Sequence, residues 1–155
     1  MKLRIKVSSL ISILDQDYEY EGAVPSEDEF AEHGEMMNLV EEYDADYMDL
    51  AEYFELSYLE TDRESGYQSR RILIHEKGSR IVTVRREGAG DATDIVIEER
   101  LLHKNDYHID DVGTLVLETY GLEIDWNRDI HMSYLTNMNG LWSKIDMRIT
   151  FGGTS

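Results

Sequence analysis

Among the basic residues of this chain, Arg86 is the one placed to do chemistry. Val82, Val84 and Arg86 alternate along one stretch and so share a strand face. With that face inward, Arg86 points at a barrel mouth, where a carboxylate of the Glu98-Glu99 pair on the next strand could meet it. A guanidinium taken out of water has to be paired. Either it forms an ion pair that ties neighbouring strands, or it clamps the carboxylate of a ligand through two parallel hydrogen bonds. The ion pair weighs more, because both glutamates are present in the chain and the ligand is inferred. Tyr58 and Tyr134 add ring area and phenolic hydroxyls to the same interior, although aromatic residues inside barrels pack more often than they bind. The candidate ligand-binding residues are therefore Arg86, Tyr58, Tyr134 and Glu99.

The other reactive residues assemble into no reaction. The five histidines, His33, His75, His103, His108 and His131, are scattered. His103 and His108 could share a turn, yet two imidazoles fall short of the three protein ligands of a catalytic zinc. Asp44, Asp46, Asp49 and Glu55 resemble a calcium loop only at its last position, because Asp49 stands where the loop needs glycine. Gly88-Ala89-Gly90 is a hairpin bend rather than a phosphate cradle. No nucleophile elbow, phosphate loop or dinucleotide fingerprint occurs, and without cysteine there is no thiolate chemistry. A non-enzymatic protein is expected, with no catalytic residue, no metal site and no cofactor.

Charge separates the chain into two parts. From Asp15 to Glu64 there are 19 acidic residues against one base, Arg63, so this segment holds the whole formal charge of −18. A surface this acidic repels phosphate backbones and anionic headgroups, which argues against nucleic acid and membrane partners. The basic, apolar start of the chain resembles a leader, but serines dilute it and Asp15 and Asp17 follow at once. With no apolar run of bilayer length a soluble protein is expected, and the absence of cysteine fits a reducing cytoplasm.

The elements that must hold these residues are strands. Leu3, Ile5, Val7, Ile11 and Ile13 occupy odd positions, the two-residue period of a half-buried strand. After Glu52 the pattern predicts strands at 53–59, 71–75, 80–86, 95–101, 104–109, 114–124, 130–136 and 142–151. Lys77-Gly78-Ser79 and Asn137-Met138-Asn139-Gly140 read as hairpin turns, and further turns are expected at 61–66 and 87–91. A meander of about eight antiparallel strands curls and closes into a barrel to remove its edges. Pro25 breaks the pattern. Ser26-x-x-Glu29 is a capping box, and Phe30, His33, Met37 and Val40 share a helical face, so a helix is expected from Ser26 to about Tyr43. The whole reads as one domain over 1–155, with an acidic helical insertion at about 26–48.

Phe54-Glu55-Leu56-Ser57-Tyr58, Arg86-x-Gly88, Glu98-Glu99, Gly113 and Ile130-x-Met132-x-Tyr134 resemble the YwiB-like family of calycin-type β-barrels, small bacterial proteins of unassigned function. The likeness covers roughly the last hundred residues and supports an all-β, lipocalin-like barrel more than any chemistry. The chain departs from the family at His108-Ile109-Asp110-Asp111-Val112-Gly113 and in the acidic stretch. Small barrels are either just filled or just wide enough for one small ligand. The favoured function is accordingly a barrel that binds a small apolar or amphipathic ligand. The alternative is an interaction module that docks a basic partner protein through the acidic insertion.

Overall fold

A computed structural model describes residues 1–61, 66, 68–88, 91–109 and 113–152. The alternating segments become ten strands: β1 (Lys2–Ile13), β2 (Glu35–Asp49), β3 (Tyr53–Thr61), β4 (Gln68–Glu76), β5 (Ile81–Gly88), β6 (Asp91–Glu98), β7 (Leu102–Ile109), β8 (Gly113–Trp126), β9 (Ile130–Met138) and β10 (Leu141–Phe151). They form one antiparallel sheet in the order β6-β5-β4-β3-β2-β1-β10-β9-β8-β7, curled into a nearly closed barrel. The turns expected at 61–66 and 87–91, and the stretch 108–113 where the chain departs from the family, fall partly outside the described residues.

Two expectations are corrected, and both have the same cause. The barrel has ten strands rather than about eight, and the acidic stretch is not a helical insertion. The capping box is present, with Ser26 N donating to Glu29 Oε2 at 2.6 Å and Glu29 N donating to Ser26 Oγ at 3.3 Å. Yet α1 spans only Glu27–His33 and stops at Gly34, whose backbone is extended. A Cβ on Gly34 would sit 2.0 Å from Ser12 Oγ and 2.5 Å from Phe30 O. Glycine is therefore required where the helix turns back against β1, and the chain continues as β2.

β2 pairs with β1 along an unbroken register from Lys2↔Asp46 to Ile13↔Glu35. That register sets Asp46, Asp44 and Glu42 directly across from Lys2, Arg4 and Lys6, and Arg4 Nη1 donates to Asp44 Oδ1 at 3.0 Å. Opposite charges directly across a pair of strands stabilise it. Part of the acidic surplus is thus built into the barrel wall.

The interior is filled through its middle by Ile5, Leu56, Leu73, Val82, Ile97, Ile130, Met132 and Ile149, each 1% exposed or less. Below them the floor is aromatic. Trp126 stacks on His75 and Phe54, Tyr47 meets Phe151 edge-on, and Trp126 Nε1 donates to the Tyr47 hydroxyl. A second cluster, Leu14, Phe30, Leu135 and Trp142, joins α1 and the preceding segment to the barrel.

The join between β6 and the β7–β8 hairpin is made largely by side chains. Val96 N donates to Asn105 Oδ1 at 2.9 Å, and Thr119 Oγ1 donates to Val96 O at 2.5 Å. Asn105 Nδ2 also donates to Leu117 O and Thr119 Oγ1. At the end of this seam Gly121 lies so close to β6 that a Cβ would meet Glu98 O at 2.5 Å.

Candidate functional site: a tyrosine and arginine cleft at the barrel mouth

The β2–β3 ladder runs from Asp49↔Phe54 to Ala45↔Tyr58 and then ends, although both strands continue. The strands splay, and a cleft of about 420 Å³ opens above the filled core. Its lining comes from six strands, among them Val7 of β1, Leu39, Glu41 and Tyr43 of β2, Tyr58 and Glu60 of β3, Arg71 of β4, Arg86 of β5 and Met147 of β10.

Register places three of these side chains in one row. Tyr58 lies across from Arg71 on β3–β4, and Arg71 lies across from Arg86 on β4–β5. Like charges directly opposite each other repel. Glu60 Oε1, 3.2 Å from Arg71 Nε, supplies one carboxylate that offsets this. Tyr43 stacks on Tyr58 with ring centroids 4.8 Å apart, and its hydroxyl donates to a Glu41 carboxylate oxygen.

Burial pushes the Tyr43 hydroxyl above the ordinary tyrosine range, reinforced by the bond to Glu41. Burial raises Tyr58 and Tyr134 as well, while the nearby Arg71 pulls both the other way. All three therefore stay protonated near neutral pH; Tyr43 donates its hydroxyl hydrogen bond to Glu41, while Tyr58 and Tyr134 keep a hydroxyl proton to donate. The arrangement can hold an anionic oxygen between guanidinium and phenol groups, with Leu39, Val7 and Met147 beside it.

Arg86, Tyr58 and Tyr134 are brought to the same end of the barrel. Val82 and Val84 face inward and are buried, as the alternation predicts, while Arg86 on the same face is exposed at the rim. Glu99 is elsewhere, which corrects the expected Arg86 pairing. Antiparallel register sets Arg86 across from Thr93 and places Glu98 across from Ile81, at the far end of the β5–β6 ladder. There Glu99 Oε1 accepts from Ile124 N at 2.7 Å, Glu99 Oε2 lies 3.8 Å from Arg80 Nε, and Glu98 Oε1 lies 3.0 Å from His103 Nε2. The two glutamates belong to the seam, not the cleft.

Arg71, Glu60, Tyr43 and Glu41 were not singled out from sequence. The signal for Arg71 was present, because any β3–β4 hairpin pairs Tyr58 with a residue near Arg70-Arg71. Tyr43 and Glu41 were hidden by the helical reading.

The four carboxylates considered for calcium are dispersed along β2 and β3, and three of them are paired with bases: Asp44 with Arg4, Asp49 with Lys77, and Asp46 3.7 Å from the amino group of Met1. Among the described residues no three His, Asp or Glu side chains are grouped to hold a metal ion. His75 Nδ1 lies 2.9 Å from Ile81 O, and His131 Nε2 lies 2.7 Å from Asp146 Oδ1. The side chain of His108 is outside the described residues. No described helix is long and apolar enough to cross a membrane.

No protein-family model matches the chain, and no curated protein matches it. Among solved structures, the ywiB protein from Bacillus subtilis superposes with a TM-score of 0.65 at 18% identity, covering 98% of this chain and 94% of that one. The chain therefore has the fold of the YwiB protein, as the sequence resemblance implies.

Proposed function

We propose that this protein is a non-enzymatic barrel of the calycin type that holds a small amphipathic ligand with an anionic group, seated in the cleft at the mouth. The supporting observation is the row Tyr58, Arg71, Arg86, in which two guanidinium groups face each other across a ladder beside a protonated phenol. An anion seated at this row accepts charge-assisted hydrogen bonds from the guanidinium and phenol groups. A volume of about 420 Å³ lies within the usual range for a small-molecule site. The aliphatic core and aromatic floor fill the rest of the barrel, so the ligand occupies the mouth and not an axial tunnel. This favours an amphipathic ligand over a purely apolar one.

Titration with decanoate and with decanol tests the reading by calorimetry. Decanoate is expected to bind and decanol not to, and Arg86→Ala, shown to be folded by circular dichroism, is expected to lose decanoate. Equal binding of both probes, or undiminished binding by Arg86→Ala, would overturn it.

A further inference from the structure

Where the β2–β3 ladder ends, it leaves one edge of β2 open. Met1 N donates to Tyr47 O, and Tyr47 N donates to Met1 O, so Tyr47 turns its backbone toward β1. Hydrogen-bonding direction alternates along a strand, and the β1–β2 register has no bulge from Asp46 to Glu35. The odd residues of β2 thus bond to β1, and the even residues aim N–H and C=O the other way. Asp46 and Met48 face β3, across from Ser57 and Glu55. Met36, Asn38, Val40, Glu42 and Asp44 have no ladder partner on that side among the described residues.

The side chains of this half-strand are also uncovered, on both faces. Met36 is 58% exposed, Met37 46%, Leu39 43% and Val40 50%. A strand with a free edge and large apolar side chains exposed above and below is the surface that an added strand covers. Charge indicates which kind of strand. Glu42 and Asp44 lie on the open edge itself, Glu35 stands at its start, and the acids of α1, Glu27, Asp28 and Glu29, lie next in the chain. A second copy of the chain, itself carrying −18, would bring the two acidic segments together.

We propose that the β2 edge from Met36 to Asp44 takes up an extended, basic segment of a partner protein by β-strand addition. Main-chain hydrogen bonds to the even residues provide the pairing, apolar side chains of the partner cover Met36, Val40, Met37 and Leu39, and lysine or arginine side chains meet the flanking carboxylates. Leu39 also lines the cleft, so an added strand and the ligand of the preceding reading would compete at that end of the slot, but the strand pairing itself uses backbone groups of β2 and not the arginines.

Residue-resolved amide exchange with a short peptide alternating lysine and valine, blocked at both ends, tests the proposal. Slowed exchange at Met36, Asn38, Val40, Glu42 and Asp44, with the odd residues of β2 unchanged, is the expected result. Val40→Pro removes an N–H that faces the open edge and not β1, a position where a strand tolerates proline. It should weaken the lysine peptide by about tenfold or more. Should that variant fail to fold, a peptide N-methylated at the amides that face β2 gives the same loss with the parent protein. Equal protection by a glutamate-valine peptide, protection confined to the odd residues, no protection at all, or sedimentation showing dimers that Val40→Pro abolishes would each overturn the proposal.

Discussion

Replacing Thr119 by valine isolates the side-chain bonds that complete the barrel. The exchange keeps the shape of a fully buried residue and removes one hydroxyl. That hydroxyl donates to Val96 O at 2.5 Å and accepts from Asn105 Nδ2 at 3.1 Å, so the variant orphans one carbonyl and one amide hydrogen inside the barrel. Each orphaned buried group costs about 1–3 kcal/mol. Relief from burying the hydroxyl itself brings the net expectation to about 2–4 kcal/mol, a large part of the typical total of about 5–15 kcal/mol. In urea, followed by fluorescence of Trp126 and Trp142, the midpoint should fall by about 1–2 M with unchanged slope, taking a slope of about 2 kcal/mol per M. Thr119→Ser retains the hydroxyl and loses one methyl, for which about 1 kcal/mol is expected. If valine is no worse than serine at this position, the seam is open to water and the barrel is not joined there.

Three further outcomes are expected. Gly121→Ala drives a methyl into the β6 backbone, 2.5 Å from Glu98 O and 2.9 Å from Glu99 N, and should destabilise by about 2–3 kcal/mol in the same urea assay; a change within about 0.5 kcal/mol would contradict that close approach. Tyr43, Tyr58 and Tyr134 have raised pKa values in the folded chain, so they contribute stability that is whole below the ordinary tyrosine value of about 10 and is lost as pH climbs above it. Tyrosinate absorbance should therefore show a late group of tyrosines ionising together with the loss of circular dichroism, and complete titration of all 10 in a chain that stays folded would refute it. Deleting residues 26–48 removes most of β2 and the buried Phe30 and Ala45, so cooperative unfolding should disappear; a transition at the parental midpoint would mean that this stretch is dispensable.

The strands after Tyr53 were legible because their side chains alternate between a filled interior and water, and that alternation survives in Ile145, Met147 and Ile149 of β10. β2 was not legible. Its first half is exposed on both faces and so has no two-residue period, while Met37 and Val40 happen to fall at helical spacing behind a real capping box. The decisive residue was Gly34, whose role depends on Ser12 reaching it from β1 while the Phe30 carbonyl crowds it from the helix it ends. For the cleft, residue type pointed to Arg86 and the tyrosines, but pairing did not follow from proximity in sequence. Glu98 and Glu99 sit close to Arg86 along the chain and at the opposite end of its hairpin in space, whereas Arg71, more distant in sequence than the hairpin turn suggests, is its direct neighbour across the ladder.

The strand order also bears on how this barrel assembles. From β1 to β6, and again from β7 to β10, every strand lies beside its predecessor in the chain, so each half can form by local steps. One pairing is remote: β1 with β10, where Ile5 faces Phe151. Closing that loop is a single loss of chain entropy that grows only with the logarithm of its length, yet contacts this distant in sequence slow folding. Assembly therefore reduces to docking two curled meanders along β1–β10, and that encounter sets the pace. Once it is made, β6 and β7 are already held side by side by the short turn between them. The last gap in the wall has no long ladder of its own; isolated backbone bridges at Glu98–Leu101 and Glu99–Gly121 and the side chains of Asn105 and Thr119 seal it.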